Sequence, residues 1–259
     1  MNRVAIITVA GVSSRFNKGI DEKDKVLKCL YSEGDETATL LYRMLQKLSY
    51  ADRIIIVGGY KFEELKHYVD RSILENLRKK IGLVFNDHFE DLASGYSLYL
   101  GLNAAFEECG DIKDILFVEG DLDIDRTSLE KVIDSGSSVL TFNHEPIDAA
   151  KAVVLYADGE GHYKYAFNAS HGLLHITEPF GAIYNSGQTW KFTDMEALRA
   201  ANERFGKETP GGTNLVIIGD YISKIPSDEI EILPLKRWTN CNTRDDYRHI
   251  RGTWDDENT

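Results

Sequence analysis

The chain has 259 residues, with 42% apolar and 28% charged side chains and a net charge of −12. This composition supports a folded core and excludes a disordered chain. The acidic balance excludes nucleic acid and anionic membranes as expected partners, although a small anion could bind in a local basic pocket or at a metal. Three cysteines without paired spacing predict neither disulfides nor a zinc site, which fits a reducing, cytoplasmic setting.

Apolar runs of strand length alternate with helical patterns in the first half of the chain. Strands are predicted at residues 4–9, 53–57, 82–85, 115–118 and 138–141. Helices are predicted at residues 40–48, 62–79, 94–108 and 127–133. This alternation predicts βαβ units, and therefore a three-layer αβα fold around a mostly parallel, Rossmann-like sheet.

Extended segments dominate after about Asn143. "KAVVLYA" and "YKYAFNA" flank the turn signal "DGEGH" and predict a β-hairpin, and a helix is predicted at residues 195–205. No linker or repeat divides the sequence, so residues 1–259 are expected to form a single domain. The N-terminal apolar run indicates a buried strand rather than a signal peptide, and no segment has the ~20 apolar residues that span a bilayer.

The segment "AGVSSRF" directly follows the first predicted strand, where open α/β sheets bind their ligands. Gly11 allows a sharp turn, and the backbone N–H groups of Val12, Ser13 and Ser14 could surround an anion. Arg15 adds donors suited to phosphate. The alternative is an ordinary strand exit with a surface arginine.

Two further segments carry charged or polar groups at predicted strand ends. "ILFVEGDLDID" places Asp121 just beyond a buried strand, where a carboxylate could bind Mg²⁺, whereas Asp125 fits the N-cap of the next helix. In "NDHFEDLASGYSLYLGL", Asn86 or Ser97 could hydrogen-bond to a base edge. The sequence lacks GxGxxG, the Walker lysine motif and the GxSxG elbow, which argues against dinucleotide, P-loop and serine-hydrolase sites.

In this order, the motifs resemble the nucleotidyltransferases of the GT-A-like fold, whose first loop reads AAGxGSR followed by PKxL. The counterparts here are Ala10 to Arg15 and then "DKVL", which contains Lys25. "IIIVGGYKFEEL", "LVFNDHFEDLASGYSLYL" and "NCNTRDDY" are most similar to bacterial CTP:phosphocholine cytidylyltransferases and their relatives acting on small phosphates and phosphonates. The similarity covers residues 3–125 well and is weaker afterwards.

The resemblance implies a role for each matched segment. Residues 1–142 would bind the nucleotide, and residues 143–259, including the hairpin, would bind the acceptor. The implied nucleotide-binding residues are Ala10, Gly11, Val12, Ser13, Ser14, Asn86, Gly95 and Ser97. The implied catalytic residues are Arg15 and Lys25 on the phosphates and Lys151 on the acceptor phosphate. Asp121 and Asn242 would hold Mg²⁺.

The implied reaction transfers CMP from CTP to a small phosphate or phosphonate, such as phosphocholine or 2-aminoethylphosphonate, with release of pyrophosphate. A sugar-1-phosphate nucleotidyltransferase and a non-catalytic nucleotide sensor stay open, and so does a homo-oligomer. Three positions depart from the family pattern: Ser13 replaces a glycine, Asp24 a proline and Asn242 a usual aspartate. Seven aromatic residues could enclose choline or form the core of the hairpin region: Tyr163, Tyr165, Phe167, Phe180, Tyr184, Trp190 and Phe192.

Overall fold

The structure, a computed structural model, describes residues 1–150, 152–167 and 173–254. The first half contains β1 (Asn2–Val9), α1 (Leu40–Lys47), β2 (Arg53–Gly58), α2 (Phe62–Ser72), α3 (Glu75–Arg78), β3 (Ile81–Phe85), α4 (Ser94–Glu108), β4 (Ile112–Glu119), β5 (Leu122–Ile124), α5 (Arg126–Asp134) and β6 (Ser138–Asn143). The second half contains β7 (Val154–Asp158), β8 (Tyr163–Ala166), β9 (Phe180–Phe192), α6 (Met195–Glu208), α7 (Asn214–Ile222), β10 (Ile230–Leu235), β11 (Trp238–Asn240) and α8 (Arg244–Thr253).

The central sheet runs in the order β10-β6-β9-β4-β1-β2-β3, with the hairpin β7-β8 attached to β9. β1 pairs in parallel with both β2 and β4, and β3 continues this parallel arrangement beyond β2. The predicted three-layer, mostly parallel α/β fold is therefore confirmed. Because parallel strands end at the same edge, the segments that follow β1, β3 and β4 are brought together there.

Two apolar cores cover the two faces of the sheet, and the alternation of side chains along β1 feeds both. Ala5 and Ile7 belong to the core under α1, α2 and α5, whereas Val4 and Ile6 belong to the core under α4, α6 and α7. A third, smaller cluster packs α8 against the loop after β1 through Tyr247 and other apolar side chains. Within the described ranges, no helix has both the length and the apolar character that membrane crossing requires.

Two features differ from the sequence-based expectations. The single helix predicted at residues 62–79 is wrong: it is divided into α2 and α3, because Ile73 and Leu74 adopt extended backbone angles that let Ile73 enter the core. The long strand β9 was not predicted, and it lies antiparallel between β4 and β6. The predicted β-hairpin is confirmed as β7 and β8.

Candidate active site

A cavity of about 510 Å³ opens at the carboxyl edge of the parallel strands. Its wall is formed by the loop after β1, the end of β4, and the N-terminal turns of α4 and α7. Polar and charged side chains in the wall are Thr8, Ser13, Arg15, Lys28, Asn86, Ser94, Ser97, Glu119, Asp121, Gln188, Thr213 and Asn214. The cavity therefore joins several segments that are far apart in sequence.

The glycine turn after β1 contributes Ala10, Gly11, Ser13 and Arg15 to this wall, whereas Val12 and Ser14 are exposed and lie outside it. Ser13 has φ of 56°, a left-handed conformation that favours glycine. Its hydroxyl is an acceptor for the backbone N–H of Lys28 at 3.3 Å, which ties the turn to the following loop. No ion pair to the exposed Arg15 guanidinium is found among the described residues.

The two lysines of the following loop have different positions. Lys25, implied by the resemblance to contact the phosphates, instead pairs with Glu22 at 2.5 Å and lies outside the cavity wall. That hydrogen bond raises the pKa of Lys25. Lys28 lines the cavity, and its Nζ lies 2.6 Å from Oδ2 of Asp121. The structure thus brings Lys28, and not Lys25, to the predicted metal ligand.

Glu119 is the last residue of β4, is partly buried and lies two positions before Asp121. Its Oε1 accepts a hydrogen bond from Asn214 at 2.7 Å, and its Oε2 accepts one from Gln188 at 3.1 Å. Desolvation first, and then the neighbouring Asp121 charge, raise the pKa of Glu119 to about 8, while Asn214 and Lys28 act in the opposite direction. The site therefore holds two adjacent carboxyl groups with unequal environments.

The residues implied to hold the nucleoside divide into two groups. Asn86 and Ser97 line the cavity and are joined by a hydrogen bond from Asn86 Nδ2 to Ser97 Oγ at 2.9 Å. Gly95 is buried and packs away from the cavity wall, since a Cβ there would lie 2.5 Å from the backbone oxygen of Gly212 and 2.6 Å from the Phe205 ring. Gly95 therefore allows α4 to approach α6.

Asn242 lines a second cavity of about 870 Å³, which also contains Arg15 and Gln188 from the wall of the first. The backbone N–H of Cys241 donates to the carbonyl of Asp121 at 2.8 Å, so Asn242 is one residue beyond a direct partner of Asp121. The Oδ1 of Asn242 is buried and accepts no hydrogen bond from any residue that the structure describes. Lys151, the implied acceptor-binding lysine, lies outside the described residues.

Asp121 and Asn242 are the two residues that could hold Mg²⁺ here, and they would hold it weakly. Asp121 supplies a carboxylate to the first cavity, and Asn242, in the wall of the second, has an amide oxygen without a hydrogen-bond donor among the described residues, a neutral ligand of the kind that hard cations accept. No cluster of three or more histidine, cysteine, aspartate or glutamate side chains that could hold a metal occurs in the part of the chain that the structure describes. A cation here would therefore need further oxygen ligands, such as those of a triphosphate.

Asp123 and Asp125 have structural contacts. Asp123 is 2% exposed and contacts Arg237, Lys47 at 3.4 Å and the Trp254 indole at 3.2 Å. Asp125 accepts the Ser128 N–H at 2.8 Å, which confirms the predicted N-cap of α5. Neither carboxylate belongs to the cavity wall.

Comparisons with known proteins give a family and a fold. The matching family model covers residues 24–254 and describes a domain of unknown function, DUF6564. The chain belongs to the DUF6564 family. No curated protein sequence matches it.

Solved structures resemble this DUF6564 chain over nearly its whole length. The inositol-1-phosphate CTP transferase from T. maritima superposes with a TM-score of 0.64 at 15% identity, covering 96% of this chain and 95% of that one. HddC from Yersinia pseudotuberculosis, complexed with GMP-PN, gives 0.62 at 17% identity and coverage of 98% and 100%. A UDP-glucose pyrophosphorylase complexed with UDP-glucose gives 0.66 at 11% identity and coverage of 99% and 100%. The shared feature is the fold.

Several residues in the DUF6564 cavity were not predicted from sequence. Glu119 could have been noticed because it precedes Asp121 at a buried strand end, and Thr213 because it begins an apolar helical run after two glycines. Lys28 was overlooked because Lys25, three residues earlier, occupies the lysine position of the matching motif. Gln188 has φ of 49° within β9, and no local sequence signal predicts that irregularity.

The aromatic residues considered for choline binding mostly serve the core. Trp190 and Phe192 are at most 1% exposed, and Tyr165 accepts the Trp190 indole N–H at 2.8 Å. Phe167 is 38% exposed and lines the first cavity, whereas Phe180 is exposed outside it. Of the seven residues, Phe167 and Trp190 line the first cavity and none lines the second.

Proposed function

We propose that the protein is a nucleotidyltransferase that transfers CMP from CTP to a small phosphate or phosphonate and releases pyrophosphate. The observation that carries this proposal is the shared cavity edge, where the Gly11–Arg15 turn faces the Lys28–Asp121 pair. Cationic donors and a carboxylate in one cavity provide what a triphosphate with its metal requires. The fold likeness to the inositol-1-phosphate CTP transferase and to the UDP-glucose pyrophosphorylase supports the same reaction class.

In this proposal, the first cavity takes the nucleotide and the second takes the acceptor. Arg15 lines both cavities, so its guanidinium is suited to bridge phosphate oxygens of the two substrates. Ser97 accepts from Asn86, which leaves its hydroxyl hydrogen free to donate to a base acceptor such as the cytosine carbonyl. CTP preference and the identity of the acceptor belong to the proposal.

The chemistry follows from charge placement. An ionised oxygen of the acceptor attacks the α-phosphorus, a new P–O–P bond forms, and the bond to the bridging oxygen of pyrophosphate breaks. The attacking oxygen is already ionised at neutral pH, so no protein base is needed. Asp121 and Asn242 would hold Mg²⁺, which when bound neutralises charge on the phosphate oxygens. Arg15 and Lys28 orient the phosphates and offset the remaining negative charge.

The deciding experiment measures pyrophosphate release with each of the four NTPs. The acceptors to compare are phosphocholine, 2-aminoethylphosphonate, inositol 1-phosphate and glucose 1-phosphate. Acceptor-dependent release with CTP supports the proposal, whereas better use of UTP with glucose 1-phosphate would favour the sugar-nucleotide alternative. Nucleotide binding without release under every condition would indicate a sensor. The kcat/KM values of Lys25→Ala and Lys28→Ala then assign the phosphate-contacting lysine.

A further inference from the structure

Lys28 joins two parts of the cavity that the proposed reaction uses separately. Its ammonium pairs with Asp121 at 2.6 Å, and the two side chains are 20% and 19% exposed. Its backbone N–H donates to Ser13 Oγ in the turn after β1 at 3.3 Å. One residue therefore contacts both the predicted phosphate turn and the predicted metal carboxylate.

The ammonium of Lys28 contacts Oδ2 of Asp121, an oxygen that a bound metal cation would use. A carboxylate oxygen held at 2.6 Å by an ammonium is not offered in the same geometry to a metal, so the two positive groups compete for Asp121. The competition has a local electrostatic reason, because Lys28 lines the same cavity as Asp121 and its ammonium offsets the charge of that carboxylate. A phosphate oxygen could accept the same ammonium once a nucleotide enters the cavity.

We propose that Lys28 is a positioning residue that holds Asp121 in the nucleotide-free protein and moves to the phosphates when nucleotide binds. This inference rests on the proposed function. Removing the ammonium should make Asp121 available to metal without nucleotide, while removing one cation from the nucleotide site. By linkage, Lys28 therefore increases the factor by which metal and nucleotide raise each other's affinity.

The test is a calorimetric titration of Mg²⁺ into the protein, with and without a non-hydrolysable α,β-methylene analogue of CTP. In Lys28→Met, Mg²⁺ affinity without nucleotide should rise about tenfold, and the coupling to nucleotide should fall by a similar factor. Mn²⁺ binding followed by electron paramagnetic resonance provides a second readout that needs no turnover. Thermal melting followed by circular dichroism checks that each variant is folded.

Lys25→Met is the matched control, because it removes the same charge from the same loop but its ammonium pairs with Glu22. It should leave Mg²⁺ affinity without nucleotide within twofold of the wild type. Lys28→Arg, which keeps the charge, should bind Mg²⁺ with an affinity close to that of the wild type. If Lys28→Met folds poorly, Lys28→Gln replaces it and should show the same gain in Mg²⁺ affinity. Unchanged or weaker Mg²⁺ binding in folded Lys28→Met, or equal gains in both methionine variants, would overturn the inference. Failure of the proposed function is seen separately, as no pyrophosphate release by the wild type.

Discussion

Glu119 makes the stability of the protein dependent on pH in a direction opposite to that of most carboxyl groups. Its pKa rises from an ordinary 4.5 to about 8 in the folded protein. Between these values the folded state binds the proton and the unfolded state does not, so the free energy of unfolding falls as pH rises. The contribution is complete below the unfolded pKa and is lost as pH passes through the folded pKa.

The size of the effect follows from the length of that interval. At about 1.4 kcal/mol per pH unit, the full interval corresponds to about 5 kcal/mol. This is an upper value, because Glu119 is only partly buried and solvent screens its charge. We expect about half, or roughly 2–3 kcal/mol, between pH 5 and pH 8.5.

Glu119→Gln isolates this contribution because it keeps the size of the side chain and removes its titration. Urea unfolding should be measured from pH 5 to pH 8.5 in the presence of a chelator, without nucleotide. The variant should match the wild type near pH 5 and be more stable by roughly 2–3 kcal/mol at pH 8.5. Glu90→Gln, which removes an exposed carboxylate, should follow the wild type throughout. Parallel pH curves for the wild type and Glu119→Gln would refute the reasoning.

Three other substitutions test separate parts of the site. Arg15→Ala should lower kcat/KM for CTP by about a hundredfold with unchanged melting temperature, whereas the exposed Lys18→Ala should not. Gly95→Ala should destabilise the protein by about 1–2 kcal/mol in urea, because overpacking against a backbone oxygen at 2.5 Å outweighs the gain in helix propensity. Asn242→Asp should tighten Mg²⁺ binding in calorimetry, whereas an unchanged affinity would remove Asn242 from the proposed metal site.

The parallel half of the fold could be predicted because its signals are local. The apolar run of β1, the pattern of α4 and the N-cap at Asp125 are each encoded by neighbouring residues, and the structure agrees with them. The strand β9 could not be predicted in the same way, because its place between β4 and β6 depends on pairing with residues distant in sequence. Its positive-φ residue, Gln188, reaches Glu119 only through that pairing.

The candidate site, too, has features that local sequence predicts and features that depend on contacts in the folded chain. The turn containing Gly11 and Arg15, and the carboxylate of Asp121, follow strands directly, so their convergence at one sheet edge could be inferred from strand order. Which of the two lysines, Lys25 or Lys28, faces the cavity could not be inferred, because both lie in one irregular loop. Their directions are decided by their ion-pair partners, Glu22 for Lys25 and Asp121 for Lys28. A motif gives the residue type here, whereas the local ion pairs determine which lysine faces the cavity.

The contact between Ser13 and Lys28 gives a structural reason for one departure from the nucleotidyltransferase loop pattern, the serine in place of a glycine. Ser13 occupies a left-handed conformation that a glycine would adopt without strain, but a glycine could not accept the N–H of Lys28 through a side chain. That hydrogen bond fixes the backbone of the residue whose ammonium holds Asp121. Replacing Ser13 by glycine would therefore relieve backbone strain and loosen Lys28 at the same time. Ser13 therefore links the turn after β1 to the Lys28–Asp121 pair.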